Sequence, residues 1–240
     1  MLAFWRSFFA ALILIPFVRR PRWTARMAPL VSAFSLMTAV YLSAIVLTTA
    51  ANAIWLQATA PAWVFLLGRF FMKETAKRGD RVLLLFGAVG VALILSCEIT
   101  SGAVAGVTCG VVSGVLFAIV MMSLRALRDQ DSFWLISLCH TATVIVLLPI
   151  VCLWGQWPSL AQLPYLAALG IFQMGIPYVL FARGVRLLHG NEAAGLTLLE
   201  PVLNPLWVFL AWGEVPAWWT IVGAACILAG LVTRYATEDS

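Results

Sequence analysis

The chain is 240 residues long, 63% hydrophobic and only 10% charged, with a mean hydropathy of +1.00. That much apolar surface cannot be hidden in a water-soluble core, so a soluble domain is excluded and an integral membrane protein is expected. A net charge of +5 would suggest a nucleic-acid partner in a soluble domain, but here Lys and Arg sit in short loops between apolar runs, which is the pattern that reports membrane orientation.

Each spanning helix needs about 20 apolar residues, and the runs are continuous rather than alternating, which excludes a β-barrel. The first run, Leu2 to Val18, is followed by Arg19, Arg20, Arg22 and Arg26. Charge after the apolar core, with no small-residue cleavage site, predicts a retained helix entering from outside to inside. Pro29 to Leu47 goes back out to the uncharged TTAANA, and Ala53 to Met72 comes in to the basic loop KETAKRGDR. Val82 to Ser96 then crosses outward to Glu98. Gly102 to Leu124 runs inward to Arg125 and Arg128, and Phe133 to Leu153 runs outward to the uncharged GQWPSLAQLP. Tyr165 to Phe181 returns to Arg183, Arg186 and His189. Ala193 to Trp212 leads out to Glu214, and Trp218 to Val232 ends at Arg234, with a cytoplasmic C-terminus. The expected fold class is an all-α polytopic membrane protein of about nine transmembrane helices with every basic loop on one side.

Two stretches share a design at an offset of 140 residues: ANAIWLQATAPAWVFLLGRFFMKE, Ala51 to Glu74, and NEAAGLTLLEPVLNPLWVFLAWGE, Asn191 to Glu214. Pro61 falls on Pro201 and Glu74 on Glu214, and in the flanks Tyr41 falls on Phe181 and Gly90 on Gly230. The topology sends the first stretch inward and the second outward. A duplication is therefore expected, residues 1–98 against 99–240, as an inverted repeat of four plus five helices. Such repeats are a recurrent architecture of secondary transporters, with the binding site near mid-membrane at the repeat interface. The unmatched helix is Gly102 to Leu124, whose partner would precede Leu2.

The candidate translocation residues are those a bilayer rejects without a reason. Glu200 lies well inside its apolar run, where a carboxylate costs roughly 2.5 to 3.5 kcal/mol on insertion scales. It is read either as a ligand for a cationic or hydroxylated group, or a proton acceptor, or as a protonated tie between helices. Asn204 shares its helical face, and Pro201 and Pro205 remove backbone donors and kink the helix. In the other copy Gln57, Thr59 and Pro61 form a weaker counterpart; interhelical hydrogen bonding is the competing role for Gln57 and Asn204. Trp63, Trp207 and Tyr178, with Trp55, are candidates for aromatic walls, against the interfacial belt that Trp and Tyr also form. His140 is a candidate proton relay or a helix-to-helix hydrogen bonder. Gly106, Gly110 and Gly114, spaced by four, make a small-residue face for close helix packing. The cysteines, Cys97, Cys109, Cys139, Cys152 and Cys226, have no paired spacing, so neither a disulfide framework nor a metal site is expected.

The segments NAIWLQATAPAWVFLLGRFFMKE and GLTLLEPVLNPLWVFLAWGEVPAWWTIVGAACILAG resemble the fourth-fifth and ninth-tenth helix signatures of the EamA-type family of the drug/metabolite transporter superfamily. FWRSFFAALILIPFV similarly resembles that family's second helix. The resemblance implies ten helices in two inverted five-helix halves, of which this chain begins at the second. It implies a secondary transporter, expected first as an exporter, of small metabolites such as amino acids or related organic solutes. The alternative is a truncated, non-transporting family member or a structural membrane subunit. No enzyme activity, cofactor or nucleic-acid partner is expected. The expected partners are the lipid bilayer, here the bacterial inner (plasma) membrane, and a small-molecule substrate; a homodimer is compatible with the sequence.

Overall fold

The structure, a computed structural model, describes residues 1–60, 62–64, 66–67, 78–101, 103–155, 157–187, 207, 209–210, 213, 215 and 217–236. Among the described residues every regular element is helical. We number the α-helices α1 (Leu2–Leu14), α2 (Ala28–Leu47), α3 (Ala50–Gln57), α4 (Arg78–Ser101), α5 (Val104–Ala126), α6 (Ser132–Trp154), α7 (Leu163–Ala168), α8 (Ile176–Leu187) and α9 (Trp218–Ala236). Four described helices are long and apolar enough to cross a membrane: Ala25–Leu47, Val104–Ala126, Ser132–Leu153 and Leu163–Gly184. Leu2–Phe17 and Trp218–Gly230 are shorter apolar helices. Their outward faces stay apolar, with Val46 82% and Leu153 71% exposed, which suits lipid and not water.

The chain folds into two compact units, Met1–Ala39 with Ile119–Leu188, and Val40–Ala118 with His189–Ser240. They do not follow the sequence halves 1–98 and 99–240, because each unit draws helices from both. In the first unit α1 packs along α6. Met1 at the start of α1 lies beside Gly155, just past the end of α6. Phe17, beyond the end of α1, stacks on Phe133 at the start of α6, with ring centroids 5.6 Å apart. The two helices are therefore antiparallel. Asp131 secures the other end of the pair: its carboxylate caps α6 by accepting from the Phe133 N–H at 3.0 Å and also accepts from the Arg19 N–H at 3.0 Å. Trp134 Nε1 donates to the Arg22 carbonyl at 3.0 Å, so the segment after α1 meets the start of α6.

Between α7 and α8 the chain passes through a π-helical stretch, Leu169–Gly175. Hydropathy predicts one uniform helix there. The wider turn follows from Pro177, which has no N–H to bond Gln173 and whose ring crowds that carbonyl. Gly170 lets this stretch approach α1: a Cβ there would sit 2.6 Å from Phe9 Cβ and 2.7 Å from the Arg6 carbonyl oxygen.

In the second unit α4 packs along α9, with Gly90 so close that a Cβ would lie 2.6 Å from the Gly223 carbonyl oxygen. A small apolar core joins Trp55, Leu56, Val107 and Ala224. Two expectations change here. Helix α4 already includes Arg78 to Arg81, ahead of the expected start at Val82, because hydropathy marks only the apolar part of a helix and not the polar turn that leads into it. The single helix expected from Ala53 to Met72 is divided: α3 stops at Gln57 and a turn at Ala58 and Thr59 precedes further helical residues from Ala60.

Candidate functional site

Two buried polar clusters stand out, one in each unit, and they are built differently. In the second unit Thr49 caps α3 by accepting from the Asn52 N–H at 3.1 Å. The Asn52 side chain, 1% exposed, is bonded at both ends of its amide: Nδ2 donates to Thr48 Oγ1 at 3.0 Å, and Oδ1 accepts from Thr220 Oγ1 at 2.6 Å. At the other end of α3 the Thr59 hydroxyl donates to the Leu56 carbonyl at 2.6 Å and accepts from Trp63 Nε1 at 3.1 Å. That local bond competes with the helix ladder, which is one reason α3 breaks there. Thr59 and Trp63 are thus brought together, and half-buried Gln57 lies at the same break.

The small-residue face of α5 packs on this break. A Cβ at Gly110 would stand 2.7 Å from Leu56 Cδ1, and one at Gly114 would stand 2.9 Å from Thr59 Oγ1 and 3.0 Å from the Leu56 carbonyl oxygen. Gly106 meets the Leu47 backbone in the same way. Trp55 is in the apolar core, and Trp207 is 59% exposed. Glu200, Asn204, Pro61, Pro201 and Pro205 lie outside the described residues.

In the first unit His140, on α6, is completely buried. Phe34 of α2 stands edge-on to it at 4.9 Å between ring centroids, and Tyr178 of α8 stands edge-on to both, 5.0 Å from Phe34 and 6.2 Å from His140. His140 and Tyr178, far apart in sequence, therefore share one aromatic corner. The Met174 backbone faces the His140 ring as a hydrogen-bond partner, although neither ring nitrogen makes a bond of full geometry. Neither the Ser7 nor the Ser137 hydroxyl has a hydrogen-bond partner; both residues are buried. Nearby, Thr143 and Ser35 satisfy each other at 3.0 Å.

A cation belongs to this corner. Arg6 of α1 is 7% exposed, lies within electrostatic reach of His140, and donates from Nη2 to the Met174 thioether at 2.9 Å. The sequence carried a signal for it, since a lone arginine inside the apolar run Leu2 to Val18 is as costly in hydrocarbon as a lone glutamate. No hydropathy signal marks Phe34 or Met174, which only the packing of α2 and of the π-helical stretch brings in.

Comparison with known proteins places this architecture. The model of the EamA-like transporter family matches residues 1–96 and 104–235. An uncharacterized transporter of Archaeoglobus fulgidus is 30% identical over 240 residues, covering 97% of this chain and 85% of that protein. Solute carrier family 35 member G1 of Mus musculus is 24% identical over 208 residues, covering 75% of this chain and 53% of that protein. A solved crystal structure superposes with a TM-score of 0.70 at 19% identity, over 97% of this chain and 86% of that one, and so shares the fold. With the family model matching nearly all of its helices, this chain belongs to the EamA-like transporter family, and it is a membrane protein of the transporter class.

Proposed function

We propose that the protein is a secondary transporter of small organic solutes, working by alternating access between two inverted repeats. The observation that carries this reading is the relation of α1 to α6. Their ends, Leu14 and Trp154, are 140 positions apart, the offset of the sequence repeat, and the two helices run antiparallel. Mates of opposite direction are what an inverted duplication requires, and such a pair can open to either face by the same packing change. The two matched segments of the family model support the division near residue 98. Mates also pack within a single unit, α1 with α6 and α4 with α9, so the pseudo-symmetry is internal to each unit.

In this reading Glu200 and Asn204 supply the polar strip, with Gln57, Thr59 and Trp63 as the counterpart in the other repeat. The absence of any ATP-binding loop in the sequence leaves ion or solute gradients as the driving force. Uptake of a panel of amino acids and related solutes into proteoliposomes, across pH, tests it with wild type beside Glu200→Gln. The expected result is solute flux in the wild type whose pH dependence is flattened by the substitution. Absence of flux for every solute and gradient removes the transporter reading, and identical pH profiles remove Glu200 from the site.

A further inference from the structure

We propose that the first unit binds the headgroup of a monoanionic phospholipid, its phosphodiester held by Arg26 and Thr24 in a cavity between two arginine-rich connections, α1 to α2 and α5 to α6. The site stands apart from the transport reading, since it concerns the lipid around the protein and not the solute it carries.

The cavity is the first observation. It measures about 380 Å³ and is lined by Thr24, Ala25 and Arg26 from one connection and by Leu127, Asp129 and Gln130 from the other, all within the first unit. That is a usual size for a small-molecule site. Ala25 opens the spanning helix Ala25–Leu47, and Ala126 closes Val104–Ala126, so the cavity lies level with the span ends. Lipid phosphates occupy that depth, just outside a hydrocarbon layer of about 30 Å. Trp23, beside Thr24 in the chain and 57% exposed, is a residue type that settles at the same level.

Charge is the second observation. The two connections carry Arg19, Arg20, Arg22, Arg26, Arg125 and Arg128 against Asp129 and Asp131. They meet in space, since Asp131 accepts from the Arg19 N–H and Trp134 donates to the Arg22 carbonyl. All six arginines are exposed, and among the described residues none of their guanidiniums is paired with a carboxylate. Clusters of four or more basic residues at the foot of membrane helices attract anionic lipid.

The third observation is Thr24. Its hydroxyl is shielded from water and makes no hydrogen bond within the protein. A buried hydroxyl left unbonded is destabilising, and a phosphate oxygen would accept from it. The planar fork of Arg26 suits two oxygens of the same phosphate.

These surroundings select the headgroup. A choline headgroup would bring a second cation among six arginines, whereas one ending in hydroxyls brings none. The Asp129 carboxylate is an acceptor for such hydroxyls. A soluble phosphate offers the same anion but lacks the acyl chains that hold a lipid at this depth. The fit is to a lipid of the phosphatidylglycerol type.

The test uses the full chain in detergent micelles, titrated with lipids of equal acyl chains and read by native mass spectrometry and thermal shift. Phosphatidylglycerol should bind about tenfold more tightly than phosphatidylcholine, and about tenfold more tightly than soluble glycerol phosphate. Arg26→Gln should weaken it about tenfold, and Arg26→Lys should restore part of the loss. Thr24→Val, which changes no charge, should weaken it about threefold. Arg20→Gln, outside the cavity, should cost less than Arg26→Gln. Equal binding of phosphatidylglycerol and phosphatidylcholine overturns the proposal. So does glycerol phosphate binding as tightly as the lipid, which would mark a site for soluble anions. Equal losses in Arg26→Gln and Arg20→Gln, with none in Thr24→Val, would mean diffuse attraction to a basic surface and no site. If Arg26→Gln does not fold, Arg26→Lys and Thr24→Val decide it: unchanged affinity in both counts against. Headgroup binding in a protein that moves no solute would sink the transport reading and leave this site standing, whereas solute flux without any lipid preference would do the reverse.

Discussion

The two units handle buried polarity in opposite ways. In the second, Asn52 links Thr48 and Thr220 through the nitrogen and the oxygen of its amide, and the Thr59 hydroxyl both donates and accepts. In the first, the buried hydroxyls of Ser7 and Ser137 bond nothing, and the His140 ring makes no bond of full geometry, beside a buried arginine. A satisfied network holds helices together, whereas an unsatisfied one weakens the structure.

The contrast can be broken at its steric base first. Gly110→Leu in the second unit has no space beside Leu56. It should destabilise the protein by about 1 to 3 kcal/mol or more, read as a lowered midpoint of thermal unfolding in detergent. Asn52→Ala should come next, at about 1 to 2 kcal/mol, because it strands the Thr220 hydroxyl. A double-mutant cycle of Asn52→Ala with Thr220→Val should return a coupling of about 0.6 to 1.7 kcal/mol, the range of hydrogen bonds between membrane helices. A coupling near zero would mean that the chain of bonds is not structural. The sharpest prediction is the smallest in stability. His140→Leu removes two nitrogens that make no bond of full geometry from an apolar corner, so thermal unfolding should shift by no more than about 0.5 kcal/mol in the destabilising direction, or rise. Solute flux should nevertheless fall. Strong destabilisation by His140→Leu would place His140 with Asn52, among the residues that hold the fold.

Much of the fold is legible in the sequence because a bilayer makes hydropathy nearly sufficient. The runs Leu2 to Val18, Pro29 to Leu47, Gly102 to Leu124 and Phe133 to Leu153 each reappear as helices whose ends move by a few residues. What hydropathy cannot register is a break made by a side chain, as at Thr59, or a widened turn made by Pro177, since neither changes the apolar count. Nor does it show which helices pack, so the two compact units, which mix the sequence halves, emerge only from contacts. At the candidate sites the residue types led to His140, Tyr178, Thr59 and Trp63, and the structure joins the first two and the last two. Arg6 was equally visible as a lone charge in an apolar run, but its meaning depends on Met174 and His140, which are distant in sequence.

The π-helical stretch Leu169–Gly175 has a geometric corollary. It carries roughly one surplus residue per turn, so everything after it is rotated by about 100° and shifted by about 1.5 Å relative to a uniform α-helix. A helical wheel drawn straight through from Leu163 to Leu187 therefore assigns Tyr178 and its neighbours to the wrong side. Passing the surplus along the helix would swing the phenol of Tyr178 about the axis like a key in a lock while the helix ends stay where they are.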